Sequence, residues 1–354
     1  MLGAIAPGAM AKSAQLRPAS APAPVSPAVS PPAVSLDAAG DAGAGLPRLY
    51  SLLVSWRGEL LLERYYNGAR ATRPANIKSV AKSVISALVG IAIERGALES
   101  VRQPIAGFFP DHLQDDSHSA KRAITIEDLL TMRSGLQSTS NVNYGAWVQS
   151  GNWVRHALTR SMINPPGTEM VYSTGNTHLL SAIITKATGA STWQFAQEAL
   201  AKPLGFSLPQ WPRDPQGIYF GGNDMLLTPR QMLAFGEMYL NGGRSGEKQI
   251  VPAAWVKASL LPRVQSRREA DRYYGYGWWI RELGGRQAYY AWGYGGQYIF
   301  LIPSLDLVVV TTSSNSVSEE RRGHRMTVFD LVERLIIAPV AATTSNTAAA
   351  RSRQ

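Results

Sequence analysis

The sequence NIKSVAKS (residues 76–83) opens an apolar stretch that continues to Arg95. Apolar residues recur at the three- and four-residue spacing of a buried helix face, at Val80, Val84, Ala87, Leu88 and Ile91. Gly96 follows, and glycine is the residue that most often ends a helix. The spacing therefore predicts a helix over residues 79–95, whose first turn carries Ser79 and, three residues later, Lys82.

Ser79 and Lys82 form a Ser-x-x-Lys motif, and residues three apart share one helix face, so the hydroxyl and the amine can meet. The N-terminus of the helix offers free N–H groups to a developing anion. Lys82 can act as a base only when it is uncharged, a state that burial favours. By itself a motif this short also fits an ordinary surface pair. A second copy, Ser245 to Lys248, lies in a Gly-rich stretch that cannot hold a helical face, and we assign it to chance.

Strand-forming segments lie at both ends of the folded region, and helices lie between them. Residues 49–56 and 59–66, separated by Arg57-Gly58, predict a hairpin. Further strands are predicted at 276–281, 287–292, 297–302 and 307–313, and further helices at 125–130, 177–188, 229–240 and 326–337. This order predicts an α+β fold, in which an α/β sandwich lobe takes its antiparallel sheet from both chain ends and an all-helical lobe is inserted between them. A cleft between the lobes is the expected site.

The two ends of the chain differ in composition from its middle. Residues 1–46 are rich in Ala, Pro and Ser and poor in large apolar side chains, so they predict a disordered tail. Residues 47–338 form the predicted domain, and residues 339–354 a second disordered tail. The first ten residues are a poor signal peptide. The tail composition and the lack of Cys fit a periplasmic or secreted protein, and a cytoplasmic one is the alternative.

Composition excludes several classes of function. The 354 residues include no Cys, which excludes disulfides, thiol nucleophiles and Cys-ligated metals. The formal net charge of +10 is scattered, without a basic stripe or a nucleic-acid motif, so no nucleic-acid partner is expected. No apolar run reaches the ~18 residues that span a bilayer, so no integral membrane segment is expected. No zinc spacing, phosphate loop or dinucleotide fingerprint is present, so we expect no metal and no cofactor. The oligomeric state is left open.

The Ser79 segment is followed by three further motifs in a fixed order. They are ITIEDLLT with SGL (residues 124–131 and 134–136), PGT with YST and a closing ATG (166–168, 172–174 and 187–189), and WGYGGQ (292–297). Together with NIKSVAKS they resemble the ordered motifs of the beta-lactamase-like serine hydrolases, over about residues 47–338. The resemblance implies a beta-lactamase/transpeptidase-like fold and a hydrolase that acts on a small molecule.

The resemblance also implies roles for individual residues. Ser79 would attack a carbonyl, Lys82 would take its proton, and Tyr172 would assist and then protonate the leaving group. The N–H groups of Ser79 and Gln297 would form the oxyanion hole. Thr174, Trp292, Tyr294, Gly295 and Gly296 would contact the substrate. Water would then cleave the acyl-enzyme.

Two departures from the family pattern bear on the substrate. Thr174 stands where Asn is common, and Asn176 lies two residues further on. Tyr294 stands where a Lys or His would bind the carboxylate of a penicillin. The Gly-Tyr-Gly-Gly-Gln strand is similar to the 6-aminohexanoate-dimer hydrolase and esterase branch, which implies an ester or a linear amide as substrate. The alternatives are a D-amino-acid peptidase or weak beta-lactamase, and a non-catalytic binding relative.

Overall fold

A computed structural model describes residues 34–113, 119–321 and 323–351. Its main sheet has eight strands: β1 (Leu49–Trp56), β2 (Glu59–Tyr65), β7 (Val264–Gln265), β8 (Tyr273–Tyr274), β9 (Trp279–Leu283), β10 (Arg286–Gly293), β11 (Gln297–Ile302) and β12 (Leu307–Ser313). Every pair is antiparallel, in the order β2-β1-β12-β11-β10-β9-β8-β7. Two small ribbons pair β3 (Ala75–Asn76) with β4 (Leu226–Leu227) and β5 (Arg244–Ser245) with β6 (Lys248–Gln249).

Twelve α-helices accompany the sheet in the described residues. They are α1 (Asp37–Ala44), α2 (Ala81–Glu94), α3 (Ser119–Arg122), α4 (Ile126–Leu130), α5 (Tyr144–Val148), α6 (Trp153–Thr159), α7 (Thr174–Thr188), α8 (Thr192–Ala196), α9 (Pro229–Leu240), α10 (Ala253–Ser259), α11 (His324–Val332) and α12 (Ala338–Arg351). Helices α2 to α10 lie in sequence between the two groups of strands that form the main sheet. The predicted α+β fold, with a sheet drawn from both ends of the chain, is confirmed.

Both faces of the central strands are buried, and side-chain alternation assigns them to two cores. On β11, Ile299 and Leu301 belong to the core that includes α2, α7 and α9, whereas Phe300 and Ile302 belong to the core that includes α11. Successive side chains on a strand point to opposite faces, so a strand covered on both sides must be apolar throughout. The all-buried runs of β11 and β12 follow from this position.

Helix α2 is the buried centre of the helical region. Its residues from Ala81 to Ala92 are all buried, and Gly90 lies so close to Trp255 that an added Cβ would come within 2.3 Å of that ring. A mostly apolar helix that is buried on all sides must be enclosed by other elements. This enclosure fixes the first turn of α2, and with it Lys82, within the core.

The ends of the chain differ from the sequence-based expectation where the structure describes them. Residues predicted to be a disordered tail include α1, where Leu36 and Ala39 are buried and the Tyr66 hydroxyl donates to the Gly40 carbonyl at 2.9 Å. Ala and Gly supply little apolar area but allow close approach to the sheet, a contribution that a count of large side chains misses. Likewise, α12 occupies most of the second predicted tail. Residues 1–33 and 352–354 lie outside the described residues. Across the described ranges, no helix combines the length and apolar character needed to cross a membrane.

Candidate active site

A cleft of about 1080 Å³ opens beside the N-terminal end of α2. Five of the predicted site residues contribute to its lining: Ser79, Tyr172, Thr174, Trp292 and Tyr294. Lys82 lies beneath Ser79 and is only 1% exposed. Residues separated by more than 200 positions in the sequence therefore meet in one cleft.

Ser79 is held by a short 3-10 turn (Lys78–Val80) that leads directly into α2. The end of β10 packs against this turn so closely that a Cβ on Gly293 would lie 2.2 Å from the Ile77 carbonyl oxygen. Only glycine fits that contact. Lys78 adopts a left-handed φ of 51° and pairs with Asp224 at 2.9 Å. Backbone conformations of this kind persist only where surrounding contacts hold them, and here they present the Ser79 side chain to the cleft.

The Lys82 amine is the centre of a small hydrogen-bond network. Its Nζ donates to the Gly222 carbonyl at 2.6 Å and lies 3.0 Å from Ser79 Oγ and 3.4 Å from Thr174 Oγ1. Burial lowers the pKa of Lys82 to about 7, although the charge of Asp224 acts in the opposite direction. A substantial fraction of the amine is therefore uncharged at neutral pH and can accept a proton from Ser79.

Tyr172 forms the wall of the cleft next to Ser79. Its ring stacks on Trp279 with 5.9 Å between centroids, and Lys82 Nζ lies 5.2 Å from the Tyr172 ring centre. Burial raises the pKa of Tyr172 to about 12, more than the opposing hydrogen bond with Ser79 and the charge of Arg272 lower it. Burial thus favours the uncharged form of the Lys82 amine and also keeps the Tyr172 phenol protonated.

Thr174, the first residue of α7, is fixed by Ser140. Its Oγ1 lies 2.9 Å from Ser140 Oγ, which also accepts the Thr174 N–H at 2.8 Å. The Asn176 side chain is 2% exposed and accepts from the Ser134 hydroxyl at 3.1 Å. Asn176 therefore points into the protein interior, and Thr174 alone of this pair faces the cleft.

The turn between β10 and β11 brings Tyr294 to the cleft but not the three residues that follow it. Gly295 and Gly296 have φ values of 92° and 114° and pack against Ser314 and Ser313. Gln297 is fully buried, and its side-chain amide donates to the Ser313 carbonyl at 2.7 Å. None of these three is part of the cleft lining. Their conformation shapes the turn, which presents Tyr294.

Two residues that line the cleft can offer backbone N–H groups to an anion. Ser79 lies in the turn that leads into α2, where the first N–H groups have no acceptor within the helix, and Tyr294 lies between the paired strands β10 and β11. This placement fits a site that binds an oxygen.

Several residues of the site were missed by sequence reasoning. The Gly222 carbonyl and the Asp224 carboxylate act on Lys82 from 140 or more positions away. A Cβ on Gly222 would lie 2.4 Å from Thr177 Oγ1 and 3.1 Å from Lys82 Nζ. The signal that could have indicated this loop is the run Gly-Gly-Asn-Asp at residues 221–224, but nothing in it names its partner.

Buried groups behind the same loop support it. His178 Nε2 lies 2.9 Å from Asp214 Oδ2, and both side chains are fully buried. The Gly221 N–H approaches His178 Nδ1 at 3.5 Å, next to the carbonyl that holds Lys82. These buried contacts hold the backbone next to the Gly222 carbonyl.

The second Ser-x-x-Lys copy has none of this surrounding structure. Ser245 and Lys248 lie on the paired strands β5 and β6, and neither lines the cleft. Ser245 and Lys248 face each other across this exposed ribbon, which supplies neither a helix N-terminus nor the burial that Lys82 has.

Comparison with known proteins gives a consistent set of similarities. A family model described as Beta-lactamase matches residues 46–333. The 6-aminohexanoate-dimer hydrolase of Paenarthrobacter ureafaciens is 24% identical over 300 residues, which cover 76% of this chain and 73% of that protein. Two solved structures are similar in fold. A Bacillus anthracis protein provisionally assigned as a 6-aminohexanoate-dimer hydrolase has a TM-score of 0.69 at 21% identity, covering 84% of this chain and 80% of its own. EstCE1, a hydrolase with promiscuous acyltransferase activity, has a TM-score of 0.67 at 17% identity. The match covers 84% of this chain and 97% of EstCE1.

Proposed function

The chain belongs to the beta-lactamase family of serine hydrolases, and from that premise we propose that it cleaves ester or linear amide bonds through an acyl-enzyme on Ser79. One observation carries the proposal: the buried Lys82 amine lies 3.0 Å from Ser79 Oγ. A base must first lie within hydrogen-bond reach of the proton it removes and must then have a suitable pKa. Lys82 meets both conditions.

In the first step, neutral Lys82 accepts the Ser79 proton as Oγ attacks the substrate carbonyl. The ammonium that forms donates to the Gly222 carbonyl at 2.6 Å and is stabilised by the charge of Asp224. The tetrahedral oxygen is held by the Ser79 and Tyr294 N–H groups, the second of which takes the place first expected for Gln297. Donors fixed in advance stabilise the transition state more than flexible ones do.

In the second step the leaving group departs with a proton from Tyr172. The phenol is protonated at neutral pH, lies beside Ser79 and can regain its proton from Lys82. Water then attacks the acyl-enzyme by the reverse sequence of proton transfers. The Ser, Lys and Tyr set thus covers both half-reactions without a cofactor.

The absence of a basic side chain at position 294 indicates the substrate class. Tyr294 stands where a basic side chain would bind a penicillin carboxylate, which disfavours beta-lactams and D-amino-acid peptides. The Paenarthrobacter relative is named for a linear amide dimer, which supports linear amides and esters for this chain. Parallel assays with p-nitrophenyl esters, linear amide dimers and nitrocefin test this choice, and nitrocefin as the best substrate would contradict it.

A fluorophosphonate probe tests the nucleophile. We expect the wild-type chain to be labelled and Ser79→Ala to be unlabelled, because the probe reacts only with an activated serine. Ser245→Ala is the matched control, since it removes the serine of the second Ser-x-x-Lys copy, and it should label normally. A wild-type chain that resists the probe would support a non-catalytic binding protein instead.

The pH dependence tests the base. Because Lys82 works only when deprotonated and its pKa is about 7, kcat/KM should rise with pH through a midpoint near that value. No fall on the alkaline side is expected below about pH 10, since the pKa of Tyr172 is about 12. Steady-state rates on a neutral ester in buffers of constant ionic strength give the profile. A profile that is flat or declines between about pH 6 and 8 would exclude this base.

A further inference from the structure

Three side-chain amides connect the two backbone segments that hold the oxyanion in the proposed mechanism. One segment is the turn that carries Ser79, and the other is the turn between β10 and β11 that carries Tyr294. The amides belong to Gln297, which is buried, and to Asn315 and Asn76, which are half-buried. None of the three lines the cleft. We refer to them as the amide bridge.

Gln297 holds the Tyr294 end of the amide bridge. Its side chain exchanges two hydrogen bonds with the backbone of Ser313: Nε2 donates to the carbonyl at 2.7 Å, and Oε1 accepts from the N–H at 3.1 Å. Nε2 also donates to Asn315 Oδ1 at 3.0 Å and lies 3.4 Å from the Tyr294 carbonyl oxygen. Because the amide is fully buried and hydrogen-bonded through both its nitrogen and its oxygen, it holds the turn to β12 and to Asn315.

Asn315 is the middle of the amide bridge and lies on backbone that a buried arginine holds. Arg48 is 3% exposed, and its Nη2 donates to the carbonyls of the residues on either side of Asn315, at 2.8 and 2.7 Å. Asn315 accepts from Gln297 through Oδ1 and donates through Nδ2 to the Asn76 carbonyl at 3.3 Å. It therefore links the β10–β11 turn to the segment that precedes the nucleophile.

Asn76 holds the Ser79 end of the amide bridge. Its Oδ1 accepts from the Lys78 N–H at 3.0 Å, and its Nδ2 donates to Asp224 Oδ1 at 2.6 Å. Lys78 directly precedes Ser79 and has the left-handed φ of 51°. A backbone conformation of this kind persists only where contacts hold it, so the Asn76 side chain supports the turn that presents Ser79.

The peptide between Gly293 and Tyr294 is oriented by the second of these turns. Its carbonyl oxygen accepts from the Gly296 N–H at 3.3 Å, on the inside of the turn. In a trans peptide the N–H points opposite to the carbonyl, so the Tyr294 N–H is directed away from the inside of the turn. Fixed donors stabilise a developing oxyanion when they match the position of the tetrahedral oxygen to within about 0.5 Å. The separation of the two turns should therefore affect the rate.

Resting on the proposed function, we propose that the amide bridge positions the oxyanion hole, because it sets the separation and orientation of the Ser79 and Tyr294 N–H groups. Gln297, whose own N–H the family resemblance places in the oxyanion hole, acts instead through its side chain. The three amides are positioning residues, which touch neither the substrate nor the reacting atoms. Proton transfer from Ser79 to Lys82 is unchanged when the bridge is broken.

A pair of matched inhibitors tests the inference. Ser79 Oγ adds to the carbonyl carbon of a trifluoromethyl ketone, its proton passes to Lys82, and the adduct carries an oxyanion. The corresponding trifluoromethyl carbinol has a similar shape but forms no oxyanion, so it reports on ground-state binding alone. In Asn315→Ala the Ki of the ketone should rise about tenfold, and kcat/KM on a p-nitrophenyl ester should fall by a similar factor. The Ki of the carbinol should stay within about twofold of the wild type.

The pH profile separates this role from damage to the base. The kcat/KM of Asn315→Ala should keep the wild-type midpoint near pH 7, because the surroundings of Lys82 are unchanged. Gln297→Met, which approximately keeps the buried volume, and the double variant complete a mutant cycle. The two losses of ketone affinity should be less than additive, since both changes break one connection.

Gln197→Met is the matched control for the loss of a side-chain amide. Gln197 Oε1 accepts from the Leu208 N–H at 2.8 Å, but Gln197 lies outside both the cleft lining and the amide bridge. This variant should keep the wild-type Ki of both inhibitors. If thermal unfolding shows that Gln297→Met does not fold, Asn315→Ala alone decides.

Three results would overturn the inference and leave the proposed function intact. They are an unchanged Ki of the ketone in Asn315→Ala, equal rises in the Ki of ketone and carbinol, and a shifted pH midpoint. A wild-type chain with no turnover, no probe labelling and no ketone binding would instead refute the proposed function, and this inference with it.

Discussion

Lys82→Met lowers kcat/KM on any accepted ester by about 10³- to 10⁴-fold at neutral pH, because it removes the base and leaves the Ser79 hydroxyl un-ionised. Methionine keeps the length of the side chain, so no cavity opens beneath the nucleophile. The Gly222 carbonyl loses its partner at 2.6 Å, but the turn around it is still held by the buried His178 and Asp214 pair. Single-turnover measurements should place the loss in the acylation step.

Lys121→Met is the matched control for this loss. Lys121 is also buried, has a pKa lowered by burial, and donates to the Leu158 carbonyl at 2.8 Å, but it has no place in the cleft lining. Its replacement should leave kcat/KM within about threefold of the wild type. A Lys82→Met enzyme that keeps more than about a tenth of its activity would remove Lys82 from the mechanism.

Lys82→Met should also change the pH dependence of stability, which can be measured without an activity assay. Lys82 binds a proton below its ordinary pKa of 10.5 in the unfolded chain but only below about 7 in the folded protein. Between these values the unfolded state holds more protons, so the stability of the wild type rises with pH relative to Lys82→Met, by an amount on the order of a few kcal/mol. Denaturant unfolding at several pH values measures this difference. If the free energy of unfolding changed with pH in the same way for both proteins, the lowered pKa of Lys82 would be contradicted.

Tyr172→Phe has the second largest expected effect and depends on the leaving group. The change removes the hydroxyl and keeps the ring that stacks on Trp279. An amine cannot leave without a proton, so kcat on a linear amide should fall by about 10²- to 10³-fold. A p-nitrophenolate leaves unprotonated, and its ester should lose far less. The measurement is the ratio of the loss of kcat on the amide to the loss of kcat on the p-nitrophenyl ester.

Tyr273→Phe controls for loss of a phenol hydroxyl near the site. Tyr273 is 39% exposed on β8 and lies outside the cleft lining, so both substrates should be hydrolysed at wild-type rates. Equal losses on amide and ester in Tyr172→Phe would assign Tyr172 to positioning of Ser79 rather than to protonation of the leaving group.

The opposite pKa shifts of Lys82 and Tyr172 have one cause. Removing water disfavours whichever form is charged, so burial lowers the pKa of the amine and raises that of the phenol. At neutral pH one group is therefore ready to accept a proton and the other to donate one.

Much of the fold follows from the sequence, because its signals are local. The hairpin of β1 and β2, the strands β11 and β12 and helix α9 have the predicted bounds or differ by one residue. The structure departs from the expectation at α1, where small residues pack by close approach, and it leaves Gly295, Gly296 and Gln297, which share one turn, outside the cleft lining. In that turn the pattern of residues gave no information on which peptide faces the cleft.

The sequence alone determined the alternation that builds the sheet, the buried helix α2, and the three-residue spacing that places the Lys82 amine beside Ser79. These depend on backbone geometry within one element. Only the tertiary structure decided that the Lys82 amine is buried and bound to Gly222, and that Tyr294 rather than Gln297 lines the cleft. Desolvation and charge pairing depend on segments that can lie 200 positions or more apart in the sequence. Such segments meet only when the chain is folded.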